Sequence, residues 1–170
     1  MRPLALAGLL FLALPVEVLP GHLFGGYSYE HTSGDDSLSR HGWDAAAAVD
    51  LTGSISLVAD AAGHYGSSLG VDTRQLTLMA GPRFWYVRGE RYALFAQALA
   101  GLVRETASVR VLDVTISESE NRLGLLSGAG LDVKLGGRWA LRVSADYVWS
   151  TKDGASRGGF RAGVGAAYRF

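Results

Sequence analysis

The chain has 170 residues, 16 Lys+Arg against 16 Asp+Glu, 48 % hydrophobic residues, 23 Gly and no Cys. This length suits one domain, and the apolar content is too high for disorder. Zero net charge argues against nucleic acid as a partner, and zero Cys excludes a disulfide scaffold, a thiolate zinc site and a Cys nucleophile.

Met1-Arg2-Pro3 precedes Leu4 to Leu14, a stretch without charge. It is too short for a membrane-spanning helix, which needs about 20 residues. One Arg before a short apolar core predicts a secretory signal peptide over residues 1–21, with the mature domain over 22–170. No clean A-x-A site marks the cleavage point, and a buried soluble helix is the alternative.

From Leu23 onward the chain alternates. Leu23, Gly25, Tyr27 and Tyr29 oppose Ser28 and Glu30. Trp43 to Leu51, Ile55 to Tyr65 and Leu76 to Tyr86 continue with apolar residues on one parity. Leu123 to Leu135, Trp139 to Trp149 and Phe160 to Phe170 do the same. In these last six strands none of the 36 apolar-parity positions is charged, whereas 12 of 36 on the other parity are. Such alternation predicts strands with one apolar face. A further strand over 92–104 has two competing patterns. Gln97 places Phe95, Leu99 and Val103 on the inner side. The total is eight strands of about ten residues, the length that crosses a bilayer when tilted.

Connections alternate in length. Thr52-Gly53, Val87 to Arg91 and Gly136-Gly137 predict tight turns. His31 to His41, Gly66 to Arg74, Glu105 to Glu120 and Thr151 to Gly158 predict long polar loops. The expected fold is all-β, an eight-stranded antiparallel up-and-down transmembrane barrel.

Three features put the apolar face outward. Tyr27, Tyr29, Trp43, Tyr65, Tyr147, Trp149 and Phe160 gather toward the long-loop end, and Phe84, Tyr86 and Trp139 toward the short-turn end. Two aromatic girdles around an aliphatic band suit a bilayer. Charges on the other face are nearly balanced: Glu30, Asp44, Asp50, Asp60, Asp132 and Asp146 against Arg83, Arg122, Lys134, Arg138, Arg142, Arg161 and Arg169. Balance is required in a crowded lumen, where an unpaired charge is costly. The core of the expected network is Glu30, Asp60, Arg83, Asp132, Arg142, Asp146 and Arg161. Arg142 and Asp146 lie about 13 Å apart along one strand at ~3.3 Å per residue, so each should pair with a neighbouring strand, as with Asp132 and Arg161. The third feature is the C-terminus, where Gly165, Tyr168 and Phe170 resemble the signal read by the barrel-assembly machinery.

Phe24 to Tyr29, Gly42-Trp43-Asp44, Gly63 to Gly66, Gly81-Pro82-Arg83, Phe95 to Leu99, Gly128 to Asp132, Arg142-Val143 and Asp146-Tyr147 occur in an order that resembles the OmpA-type outer-membrane β-barrel domain family. The resemblance runs from about residue 23 to 170. It implies an integral outer-membrane barrel of porin-like form. The periplasmic peptidoglycan-binding domain that OmpA-type proteins often carry is not part of the matched stretch.

Pro82 lies inside a strand, and with Gly81 it predicts a local bulge. No nucleophile elbow, zincin motif, P-loop or dinucleotide fingerprint appears. His31, His41 and His64 could meet Asp35 and Asp36 around a metal, and Ser37, Ser39 and His41 offer rim nucleophile chemistry. Solvated loop polarity is the simpler reading of both, so no enzyme, cofactor or metal is expected. The expected role is structural or surface-interactive, as a monomer in outer-membrane lipid, with the long loops open to a surface partner. A small channel and a soluble lipocalin-like binder are the alternatives.

Overall fold

The computed structural model describes residues 20–33, 38–68, 71–111, 114–152 and 155–170. The segment expected to be a signal peptide therefore lies almost wholly outside the described residues. Gly21, at its predicted end, already belongs to the first strand.

Eight strands follow in chain order: β1 (Gly21–Ser33), β2 (Leu38–Asp50), β3 (Ile55–Ser68), β4 (Val71–Arg88), β5 (Tyr92–Val111), β6 (Val114–Gly136), β7 (Trp139–Lys152) and β8 (Ala155–Arg169). Each pairs antiparallel with its sequence neighbours, and β1 pairs with β8, so the sheet closes into a barrel. The seam is tied at its end by Phe170 N–H donating to Gly21 O at 3.0 Å and Gly21 N–H donating to Phe170 O at 3.3 Å. Closure leaves no strand edge unpaired, which is what permits strands to cross hydrocarbon.

Period-two alternation sorts the side chains. Leu57, Leu78, Leu102, Leu125, Val143 and Val164 are exposed on the outside, whereas Asp60, Arg83, Arg142 and Arg161 are buried within. A lipocalin-like lumen would hold the reverse. In β5 the inward set is Ala93, Phe95, Gln97, Leu99 and Val103. The lumen is not polar throughout: Phe24, Val58, Met79, Leu99, Val103, Leu126 and Val148 form an apolar cluster inside it. Glycines on the inner face make room for large neighbours. The Phe95 ring lies where a Cβ on Gly130 would stand, and the Asp146 carboxylate where one on Gly128 would stand.

Two expectations are corrected. The four polar connections are mostly strand rather than loop. β5 and β6 stay in register out to Val111 opposite Val114, and their 20 and 23 residues exceed the roughly 9–11 needed to cross a bilayer. The long hairpins are thus paired ribbons, because polar strands can hydrogen-bond along their backbones as well as apolar ones. The bulge also lies elsewhere. Gly81 and Pro82 leave a gap in the β4–β5 ladder without moving its register, as a missing N–H removes a bond but adds no residue. The register shifts at Trp85/Val87 instead. That shift leaves Tyr86 and Val87 both exposed and turns Arg88 toward the lumen. At the β6–β7 turn, Gly136 and Gly137 have φ of 133° and 56°, conformations that L side chains rarely adopt.

Candidate functional site: a charged lumen

The lumen network is built from residues that the strand register sets directly opposite one another. Glu30 faces Arg40 across β1–β2, Arg83 faces Gln97 across β4–β5, Asp132 faces Arg142 across β6–β7, and Asp146 faces Arg161 across β7–β8. Directly opposed side chains on one face of an antiparallel pair are the closest cross-strand neighbours.

At the centre, the Arg161 guanidinium is shared by three carboxylates. It donates to Asp60 at 3.0 and 3.4 Å and to Asp146 at 3.1 and 3.3 Å, and it lies 3.9 Å from Asp44. Gln97 extends the cluster. Its Nε2 donates to Asp146 at 3.0 Å, while its Oε1 accepts from Arg83 at 2.8 and 3.2 Å. Toward the short turns, Arg142 donates to both Asp132 oxygens at 2.6 and 2.8 Å. Phe95 lies between two cations, with Arg83 4.2 Å and Arg142 4.8 Å from its ring centre. No carboxylate lies within ion-pair distance of Arg83 among the described residues. Its charge is met by the Gln97 amide and the Phe95 face.

Toward the long hairpins, Gln75 Nε2 donates to Glu30 at 2.8 Å, and Arg40 bonds Gln75 and approaches Glu30 at 3.5 Å and Glu105 at 3.4 Å. His64 is fully buried between the Ser28 hydroxyl at 2.9 Å and Glu30 at 3.4 Å. Glu105 sits opposite Glu120. Arg122 lies 3.7 Å from Glu105 and 2.8 Å from Glu120, and Arg157 lies 3.2 Å from Glu105, so cations offset the like-charge contact. At the opposite mouth, Asp50 accepts from Arg88 at 2.9 and 3.1 Å and from Ser56 at 2.6 Å, and His22 is 3.3 Å away. The indented mouths hold about 330 Å³ at the short-turn end and about 20 Å³ at the other, with the ion-pair layers between them.

All seven residues named for the network, Glu30, Asp60, Arg83, Asp132, Arg142, Asp146 and Arg161, are buried in the lumen. Lys134, Arg138 and Arg169 are not. They are exposed at the short-turn rim, where the inward parity opens to water, and Lys134 donates to Gly89 O at 2.7 Å. Arg40, Arg88 and Glu105 are network members outside the predicted strands, and Gln75 joins them from the polar parity of the fourth predicted strand. Arg40 and Glu105 lie in segments expected to be loops, although each continues the inward parity of its strand. Arg88 fell beyond a bulge that alternation alone cannot locate.

The girdle residues Tyr27, Trp43, Tyr65, Phe84, Tyr86, Trp139, Tyr147, Trp149 and Phe160 are exposed on the outer face, and Tyr29 is half-buried. Phe170 is exposed at the seam, Tyr168 packs its ring 4.9 Å from Trp139, and Gly165 opposes Gly26 where strands β1 and β8 approach closely. The histidines do not meet. His64 lies inside, while His41 bonds Tyr27 and His31 bonds Ser39 at the rim. Asp35, Asp36 and Ser37 lie outside the described residues.

No protein-family model matches the sequence, and no curated protein matches it. Solved structures do match. Over 89 % of this chain and 98 % of the other, the fold superposes on Ail, the attachment invasion locus protein of Yersinia pestis, with a TM-score of 0.63 at 21 % identity. Neisserial surface protein A matches with a TM-score of 0.68 at 13 % identity over 88 % of this chain and 97 % of that one. The outer membrane protein OprG from Pseudomonas aeruginosa matches with 0.60 at 12 % over 89 % and 95 %. At these identities the likeness is one of fold: this is the eight-stranded barrel of bacterial outer-membrane proteins, in agreement with the OmpA-type resemblance.

Proposed function

We propose that the chain is an outer-membrane surface protein. A salt-bridged plug fills its barrel, and its long hairpins are the recognition surface. The observation that carries this reading is the pairing of charges across the lumen. Arg161 on β8 pairs across the lumen with Asp60 on β3, and its other partner, Asp146 on β7, is bonded by Gln97 on β5, all through side chains that are nearly inaccessible to solvent. An eight-stranded barrel is just wide enough for its side chains to fill. An open conducting path would require several of these contacts to separate at once, and each separation would leave a charge unpaired.

Recognition then falls to the paired ribbons beyond the lipid, above all β5–β6. Ail has been solved in complex with the heparin analogue sucrose octasulfate, so a barrel of this fold can take an anionic saccharide. In this chain the surface role is tested by shortening the β5–β6 hairpin to the level of Arg104 and Asn121. The shortened barrel should keep heat-modifiable migration and lose capture of surface glycans by whole cells. Retained capture would remove the hairpin from the role. Planar-bilayer recording tests the plug: verified insertion without conductance is expected, and a steady open current would favour a channel.

A further inference from the structure

The outer wall carries a pair of cations where the apolar band ends. Three successive outward rows cross β3 to β6 in register. The row within the band reads Ala61, Leu78, Leu102, Leu123. The next reads Gly63, Leu76, Arg104, Asn121. The third reads Tyr65, Arg74, Thr106, Ser119. Hydrocarbon side chains thus give way within two rows to two guanidinia, two hydroxyls and a phenol. Arg74 and Arg104 are diagonal neighbours on one face, a relationship that sets their Cα atoms roughly 7–8 Å apart.

Both arginines are exposed, and neither forms an ion pair among the described residues. Arg40, Arg122, Arg142 and Arg161, inside the barrel, each lie within ion-pair distance of a carboxylate. Arg74 lies over the Tyr65 ring at 5.3 Å, which orients its guanidinium along the wall. Thr106 and Ser119 hydroxyls are 3.0 Å apart, so one hydroxyl proton of the pair remains free to donate outward. Asp72, two residues farther out on β4, is exposed and makes no ion pair to either arginine. Tyr65, Arg74, Arg104, Thr106 and Ser119 line an open groove of about 500 Å³ that also includes Leu76.

We propose that this groove binds the phosphate of a net-anionic lipid headgroup, one with no cation of its own to neutralise it, in the leaflet nearest the long hairpins. Arg74 and Arg104 clamp the phosphate oxygens, Thr106 or Ser119 donates a further hydrogen bond, and the acyl chain descends past Leu76 and Leu102. Guanidinium suits this task because its planar donors match phosphate oxygens in pairs. The assignment rests on the membrane seating proposed above and adds a specific lipid contact to it.

The test uses the full barrel in zwitterionic detergent micelles, titrated with a short-chain phosphatidic acid while the side-chain N–H resonances of arginine are followed. Saturable shifts are expected, absent with phosphatidylcholine of equal chain length. Arg74→Gln with Arg104→Gln should weaken binding by at least about tenfold, since each lost charge-assisted contact is of that order. Arg74→Lys with Arg104→Lys should retain part of it, and Arg138→Gln at the other rim should change nothing. Equal binding by the Gln double variant, or by phosphatidylcholine, overturns the proposal. Inorganic phosphate binding as tightly as the lipid overturns the lipid assignment and leaves a plain anion site. Heat-modifiable migration of each variant reports folding. Quenching of girdle tryptophans by bilayer-embedded probes reads the seating separately, so its failure is told apart from failure of the headgroup site.

Discussion

Arg142 and Asp132 stand directly opposite on β7 and β6 and share two hydrogen bonds of 2.6 and 2.8 Å. This pair is buried, and it stacks beside Phe95 and Phe24, whose ring centres lie 4.8 and 5.3 Å from the guanidinium. Removing one partner leaves the other charged and without water. Asp132→Ala should therefore cost about 3–5 kcal/mol of stability, while Asp132→Leu with Arg142→Met should cost far less. Urea unfolding in lipid vesicles measures both. Equal losses would mean that the ion pair carries net stability of its own.

Phe95 is held between Arg83 and Arg142 and occupies the space left by Gly130. Phe95→Leu removes both cation–ring contacts and should destabilise by about 2 kcal/mol or more. Gly130→Ala attacks the same contact from the other side, because its Cβ would overlap the ring. The two substitutions should be non-additive in a double-mutant cycle, and strict additivity would show that the ring does not depend on that glycine.

Ala145 is exposed near the middle of β7, opposite Ala129 and Ala162. Ala145→Arg places a charge on the lipid face and should cost ~2–4 kcal/mol if the site is near the bilayer midplane. The same unfolding measurement checks it, and a neutral outcome would mean that the apolar face has been assigned to the wrong side.

Phe170 ends the chain at the β1–β8 seam, bonded through its backbone to Gly21. If the C-terminal pattern is read during assembly, Phe170→Ala should reduce the folded fraction in cells and leave refolding into detergent nearly unchanged. Comparable loss in both settings would assign the residue to barrel stability instead.

Most of the barrel was legible in the sequence because a closed sheet with lipid outside and charge inside imposes strict period two. The inward side of β5 could be chosen from Gln97 alone, since an amide has no partner in hydrocarbon. What stayed hidden has physical causes. Arg40 and Glu105 point into the lumen, but the outer face beside them has turned polar, so the apolar–polar contrast that reveals alternation is lost there. Arg88 follows a bulge that comes from the β4–β5 ladder, a nonlocal property. The apolar residues Val58, Met79, Leu126 and Val148 sit on the face marked polar, because charged residues elsewhere on that face dominate its pattern.

The four tryptophans offer the most direct test of the arrangement. Trp43, Trp139 and Trp149 are exposed on the outer face, whereas Trp85 is buried inside, its Nε1 donating to Ser56 at 2.8 Å. Four single-tryptophan variants, refolded in bilayers carrying an acyl-chain quencher, separate the two environments. Strong quenching at positions 43, 139 and 149, with position 85 protected, is the predicted result. Quenching of Trp85 with the other three protected would contradict a barrel that is apolar outside and charged within.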